Sequence, residues 1–216
     1  MSIVKVYKNA LFALPGRVGQ TEEVDDAYRS SLTRRLGAVH ALYREALAQM
    51  SLAQINHVER DGVLPIAFSL VHQVLIEDGS LCFVGGPNPQ FSDAWADRLG
   101  LGVVDHGKSR SVEEMVHQRI GDLAAFTEFQ GLVFSVTDAF VSAIDVASLD
   151  DVIVPAPYGP DLAHTFSARV GGDAGITRSD ALECWIYQHA VRHLGEIEHA
   201  RALVGLGGMT SKGAGL

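Results

Sequence analysis

The chain has little cysteine: Cys82 and Cys184 are its only two in 216 residues. Two cysteines cannot build a disulfide framework, and the absence of any Cys-x-x-Cys pair excludes metal or dithiol redox motifs of that form. A reducing cytoplasm fits this usage. Basic charge is short as well, with 17 Lys and Arg against 26 Asp and Glu and a net charge of -9. No Lys/Arg run or interleaved aromatic stripe offsets that balance, so nucleic acid is not an expected partner. Nor does any stretch approach the roughly 18 uninterrupted apolar residues of a bilayer span, so no membrane helix is expected. The opening MSIVKVYKNALFALPGRVGQ is interrupted by Lys8 and Asn9 and lacks a small-residue cleavage site. It reads as mature chain rather than a signal peptide. Internal repeats and low-complexity tracts are missing too.

What remains is mostly helical patterning. Apolar residues make up 47% of the chain, enough to bury one sizeable core, and a single domain over residues 1–216 is expected. The first long helix is predicted over about 24–50, where Tyr28, Leu32, Leu36, Val39, Tyr43, Leu47 and Met50 recur at three or four residues. Asp25 and Asp26 would then lie in its first turn, where negative charge suits the helix dipole. His40 stands one position off the stripe and is expected at the surface or boundary.

Ser51 is a plausible cap for a short following element, SLAQINHV. Pro65 suits the first turn of a second helix, over roughly 64–78 or a turn beyond, because its missing N–H has no intrahelical partner there anyway. That helix is apolar nearly all round and should be central. Residues 85–110, rich in Gly, Pro and Asn, read as a connection with one short helical turn around DAWADRL. Ser111 and Glu114 form a capping-box pattern, which predicts a third helix from there to about 145 with a break near Gly131. Residues 148–178 read as a second irregular connection. Ser179 or Thr177 then caps a last helix to about Leu203, and the Gly-rich tail, residues 207–216, has little to bury and is expected to be loose. Four main helices with two elaborated connections pack most simply as one bundle, with its core at about 25–206.

The stretch QHAVRHLGEIEHARALVG carries His189, His193 and His199. Leu182, Ile186, His189, His193, Ile197, Ala200 and Val204 share one helix side, so two histidines fall inside the apolar stripe. Buried imidazoles need partners. A divalent metal is one: imidazoles a turn apart can meet on a single ion, and neutral imidazole suits Zn, Ni, Fe or Cu. The spacing alone is a weak signal, since any histidine-bearing helix can produce it. Ala190 excludes the zinc-protease form, because it stands where H-E-x-x-H needs its glutamate. His199 points away from that side and reads as surface. His72, within the most apolar helix, could be a core histidine bonded to a carbonyl or water. Three inward histidines on two core helices make a shared ligand more economical, since a bundle lets facing helices supply one site. His57, His106, His117 and His164 fall in or beside loops or on a polar face.

The first helix with its S-L-x-x-I element, the apolar helix carrying LVHQVLIEDGSL, the SVEEMV start and the closing HAVRHLGEIEHARALVG together resemble the DinB superfamily. These DinB/YfiT-like four-helix proteins include transferases and isomerases that use mycothiol, bacillithiol or glutathione. The likeness covers most of residues 25–206. It implies an all-α four-helix bundle in which His72, His189 and His193 form the family's three-histidine metal site. It further implies thiol-dependent S-transfer on a small-molecule substrate, with a low-molecular-weight thiol as co-substrate, in a cytoplasmic protein that can form a homodimer. Connections 79–110 and 148–178 are richer in Gly and Pro than the family's plain bundle, which leaves the substrate open. Three imidazoles leave coordination positions free, as in catalytic sites, and a bound water or thiol would become a nucleophile at neutral pH. Glu196, one turn from His193, is a candidate outer partner for an imidazole N–H or a general base; a solvated glutamate is the plainer reading. A metal-dependent hydrolase and a non-catalytic, stress-associated metal-binding bundle are the alternatives.

Overall fold

The computed structural model describes residues 18–210, with side chains from residue 26 onward. The expectation of a mature N-terminus, and that of a loose tail over residues 211–216, lie outside the described residues. Helix α1 spans Val18–Ala48, so it begins earlier than the periodicity suggested and Asp25 and Asp26 lie within it, not in its first turn. Asp26 instead pairs with Arg29 at 2.7 Å, one turn on. The predicted stripe is buried from Leu32 to Met50. Ser51 closes a capping box with Gln54 around α2, Leu52–Ile55.

Helix α3, Ile66–Leu81, starts one residue after Pro65, which is its N-cap rather than part of its first turn. By length and composition Ile66–Val84 could cross a membrane, yet 72% of that window is buried inside this fold. Its apolar surface is covered by other helices, as a central helix requires. Helix α4, Asp93–Leu99, falls on the DAWADRL segment with Ser92 as cap. The connection before it is anchored by buried Asp78, whose two oxygens accept from the backbone N–H groups of Gln90 and Phe91 at 2.9 Å each.

The third helix does not begin where its capping box does. Ser111 and Glu114 do cap each other's backbone, but the box closes a single turn, α5, Val112–Met115, in which no residue is buried. The long helix is α6, Leu123–Ala143, capped by the Asp122 side chain on Ala125 N, and it runs unbroken through Gly131. Other partners claim the segment between them. Asn56 brackets Ile120, accepting from its N–H at 2.9 Å and donating to its carbonyl at 2.8 Å. Gln118 brackets Val103 in the same way. Gly121 lies against Gly100 so closely that a Cβ would stand 2.9 Å from the Gly100 oxygen, so the crossing admits only glycine there. Once in α6, Phe126, Phe129 and Phe134 are wholly buried, each worth about 2–3 kcal/mol of transfer free energy.

Residues 148–178 are more ordered than expected. Strands β1, Val152–Val154, and β2, Ile176–Thr177, pair antiparallel. Between them lie α7, Pro160–Ala163, and α8, Phe166–Gly171. The last helix is continuous in three parts: α9, Arg178–Ala181, a π-helical stretch at Leu182–Tyr187, and α10, Gln188–Leu203. Thr177 is its cap. Beyond it, residues 205–209 fold back rather than hang loose. Buried Arg201 donates to the Gly207 carbonyl at 3.1 Å, and both Glu198 oxygens accept from Met209 N at 3.0 Å. Among the described residues the fold is all-α apart from the small ribbon. Among the long helices, α1 packs on α6 and α10, and α3 packs on the same two.

Candidate metal centre

Helices α3 and α10 pack along one another, and their facing sides bring His72, His189 and His193 together. His189 Nε2 lies 3.2 Å from His72 Nε2 and 3.2 Å from His193 Nε2. The donor atoms of the three all lie within 4.8 Å of one another. Two imidazoles on a tetrahedral zinc, with N–metal bonds of about 2.0–2.1 Å, place their nitrogens roughly 3.3 Å apart. The two spacings from His189 match that requirement.

The outer nitrogens fix the protons. His72 Nδ1 donates to the backbone carbonyl of His106, and His193 Nδ1 donates to Glu196 Oε2 at 2.6 Å. With the protons on Nδ1, the Nε2 lone pairs of both rings turn inward, the tautomer a metal ligand needs. Glu196 Oε2 also accepts from Ser69 Oγ at 3.0 Å, which holds the carboxylate in place. Among the described residues, no group partners the buried His189 Nδ1. In neutral form the cluster has three inward Nε2 atoms and at most one inward proton, so at least one inward lone pair lacks a donor. A cation satisfies all of them at once.

Charging the imidazoles themselves is the unfavourable route. Burial, helped by the neighbouring His193, outweighs the backbone bond to His106, which acts upward, and leaves the His72 pKa lowered to about 4. Burial and then the His193 and His72 charges push His189 down to about 2. Glu196 is the counterpoint: burial would raise its pKa, but the His193 hydrogen bond and charge outweigh it and hold the carboxylate below its usual range. His72 and His189 are therefore neutral, with one anion at the edge of the cluster.

The loop that supplies the His106 carbonyl is seated by a glycine. Gly107 has φ +77°, and a Cβ there would come within 2.8 Å of the Phe68 ring. Phe68 in turn lies over His72, ring centroids 5.2 Å apart. On the other side, a cavity of about 440 Å³ opens beside His193 and Glu196, walled by Leu64, Ile66, Phe68 and Leu203. It leads from solvent to the edge of the histidine cluster through mainly apolar walls.

All three histidines singled out in the sequence meet at this point, and Glu196 bonds to one of them. His199 is exposed, as expected, but lines the outer part of the cavity. Ser69 and the His106 carbonyl carried no signal in the sequence: a serine on an apolar helix and a backbone oxygen in a loop are mute until the fold is known. The expectation for His40 fails. It is fully buried between α1, α3 and α6, 3.1 Å from Glu77 and 2.9 Å from Asp138.

No protein-family model matches the chain, and no curated protein sequence matches it. One solved structure similar to it is described as the conserved protein of locus from Enterococcus faecalis, with a TM-score of 0.65 and 19% sequence identity. The match covers 81% of this chain and 95% of that one. At that identity the likeness bears on the fold alone.

Proposed function

We propose that the chain is a metal-dependent enzyme of the DinB/YfiT-like type, in which His72, His189 and His193 hold a divalent ion such as Zn, Ni or Fe. Its chemistry in this reading is thiol-dependent S-transfer to a small electrophile, with a low-molecular-weight thiol as co-substrate. The observation that carries it is the convergence of three imidazoles, two buried and one half-buried, with more inward lone pairs than protons. When bound, the ion lowers the pKa of a thiol or water and supplies a nucleophile at neutral pH. The chain's own residues do the rest. The His106 carbonyl and Glu196 orient two of the rings, Ser69 steadies Glu196, and Phe68, Ile66 and Leu203 give an apolar substrate a dry wall.

A metal-dependent hydrolase is the second reading, favoured by one feature. Glu196 is an ionised carboxylate that lines the cavity and is half exposed, placed where a general base for water would stand. Elemental analysis of the purified protein should find about one divalent ion per chain, and His72→Ala or His193→Ala should lose it. Full stoichiometry in either variant would sink the centre. With the metal established, consumption of mycothiol, bacillithiol or glutathione with an electrophile identifies the transferase. Ester or amide cleavage without thiol identifies the hydrolase, and neither activity leaves a binding protein.

A further inference from the structure

Apart from the histidine cluster, a second buried polar group joins three helices. His40 of α1 is wholly buried, its Nε2 3.1 Å from Glu77 Oε1 on α3 and its Nδ1 2.9 Å from Asp138 Oδ1 on α6. Glu77 is buried as well, and its other oxygen accepts from Gln73 Nε2 at 2.6 Å. The two imidazole nitrogens face different carboxylates, so the set cannot close on one ion as the other cluster can. It is a clamp of one ring between two carboxyl groups.

The clamp is connected to the metal centre on both sides. The His40 ring lies flat on Phe134, centroids 3.9 Å apart, and Phe134 meets the edge of Tyr43. Tyr43, buried one turn along α1, donates its hydroxyl to the Ala190 carbonyl at 2.8 Å. Ala190 directly follows His189. On α3, Glu77 follows His72 by five residues, which is about 7.5 Å along the axis and roughly 140° around it. One flank of α3 thus offers His72 to α10, while another offers Glu77 to α1.

We propose that His40 is a positioning residue of the metal centre: it ties α3 and α6 to α1, Tyr43 ties α10 to the same helix, and the separation of His72 from the His189–His193 pair is thereby fixed. This inference rests on the metal reading above. A buried ion network is a weak source of stability but an effective device for register, because a shifted charge finds no other partner in an apolar core. Metal affinity depends on such support, since a site loosened by an ångström no longer matches its ion.

The test compares the wild type with the His40→Phe/Glu77→Leu double variant, in which both buried charges go together and neither is stranded. The probe is Co2+, followed by visible absorption and by competition with a chelator. The expected result is a Tm equal to or above wild type, with Co2+ affinity reduced about tenfold or more and shifted absorption bands. Unchanged affinity and bands overturn the proposal. So does an affinity loss that only follows a lowered Tm, which would be a structural effect. Should the double variant not fold, His40→Gln is read by the same criteria. If the wild type takes up no Co2+, the metal reading fails by itself, and positioning is judged on the metal-free protein. There the imidazole 15N resonances of His72, His189 and His193 shift in the variant if the clamp sets their spacing, and coincidence with wild type overturns it.

Discussion

Histidines in this chain are held in opposite charge states by their surroundings, and each state gives a pH dependence of known sign. His40 is raised to about 9: burial opposes its charge, but Glu77 from α3 and Asp138 from α6 more than compensate. Its folded pKa exceeds the ordinary 6.5, so its contribution is complete below pH 6.5 and is lost as pH rises through about 9. The expected difference between pH 6 and pH 10 is on the order of 3 kcal/mol. Urea denaturation of wild type and of His40→Phe/Glu77→Leu at both pH values isolates it: the wild type should lose that much more than the variant, and parallel losses would contradict the clamp. His72 and His189 behave in the reverse sense, with folded values lowered to about 4 and about 2. The metal-free protein should therefore lose stability as pH falls below 6.5, because unfolding lets these rings take up protons. In chelator, a His72→Gln/His189→Gln variant should show a smaller fall in urea midpoint between pH 6.5 and pH 4 than the wild type. An equal fall would place the acid sensitivity elsewhere.

Two helix starts make the same point for elements that the histidines make for residues: a local motif sets a boundary, and packing decides what the boundary is worth. The Ser111 box caps a turn with nothing buried, whereas Asp122 caps a helix of 21 residues with eight buried. Asp122→Ala should cost about 1 kcal/mol and Ser111→Ala only a few tenths, measured as urea midpoints at constant m. Equal costs would contradict this weighting. Gly131 sits inside α6 with open space where a Cβ would go, so Gly131→Ala should stabilise by about 0.5–1 kcal/mol. A destabilised variant would show that the glycine serves a close approach after all. The stripes of α1 and α10 and the all-round apolar α3 were legible because burial imposes a 3.6-residue period on whatever chain forms the helix. His40 was not, since α1 is covered by α6 and α10 and also meets Glu77 of α3, so its buried face is wider than one stripe. The start of α6 was hidden for another reason. The contacts that pull residues 116–121 off a helical path come from Asn56, Val103 and Gly100, distant in sequence.

For the molecule as a whole, the apolar core falls into two clusters. One joins α1, α3, α6 and α10 around Tyr43, Leu70, Phe126 and Ile197, and the other gathers the opposite end around Leu36, Leu81, Ile176 and Ile186. The histidine site borders the first cluster, where α3 and α10 meet and the cavity opens, so its ligands come from rigid helices rather than loops. The loop around Gly107 reaches over to steady one ring. The pairing of His189 with His193 was legible from spacing, and His72 joined them through its place on an apolar helix. Glu196 was a candidate from its place one turn after His193, whereas the carbonyl and the serine became visible only once the chain was folded. The account stands on these three imidazoles holding one ion, and the most direct measurement is metal content per chain by elemental analysis, for wild type, His72→Ala and His193→Ala expressed and purified side by side. The account predicts close to one divalent ion for the wild type and almost none for either variant. A wild type without metal, or variants that retain it in full, would contradict it.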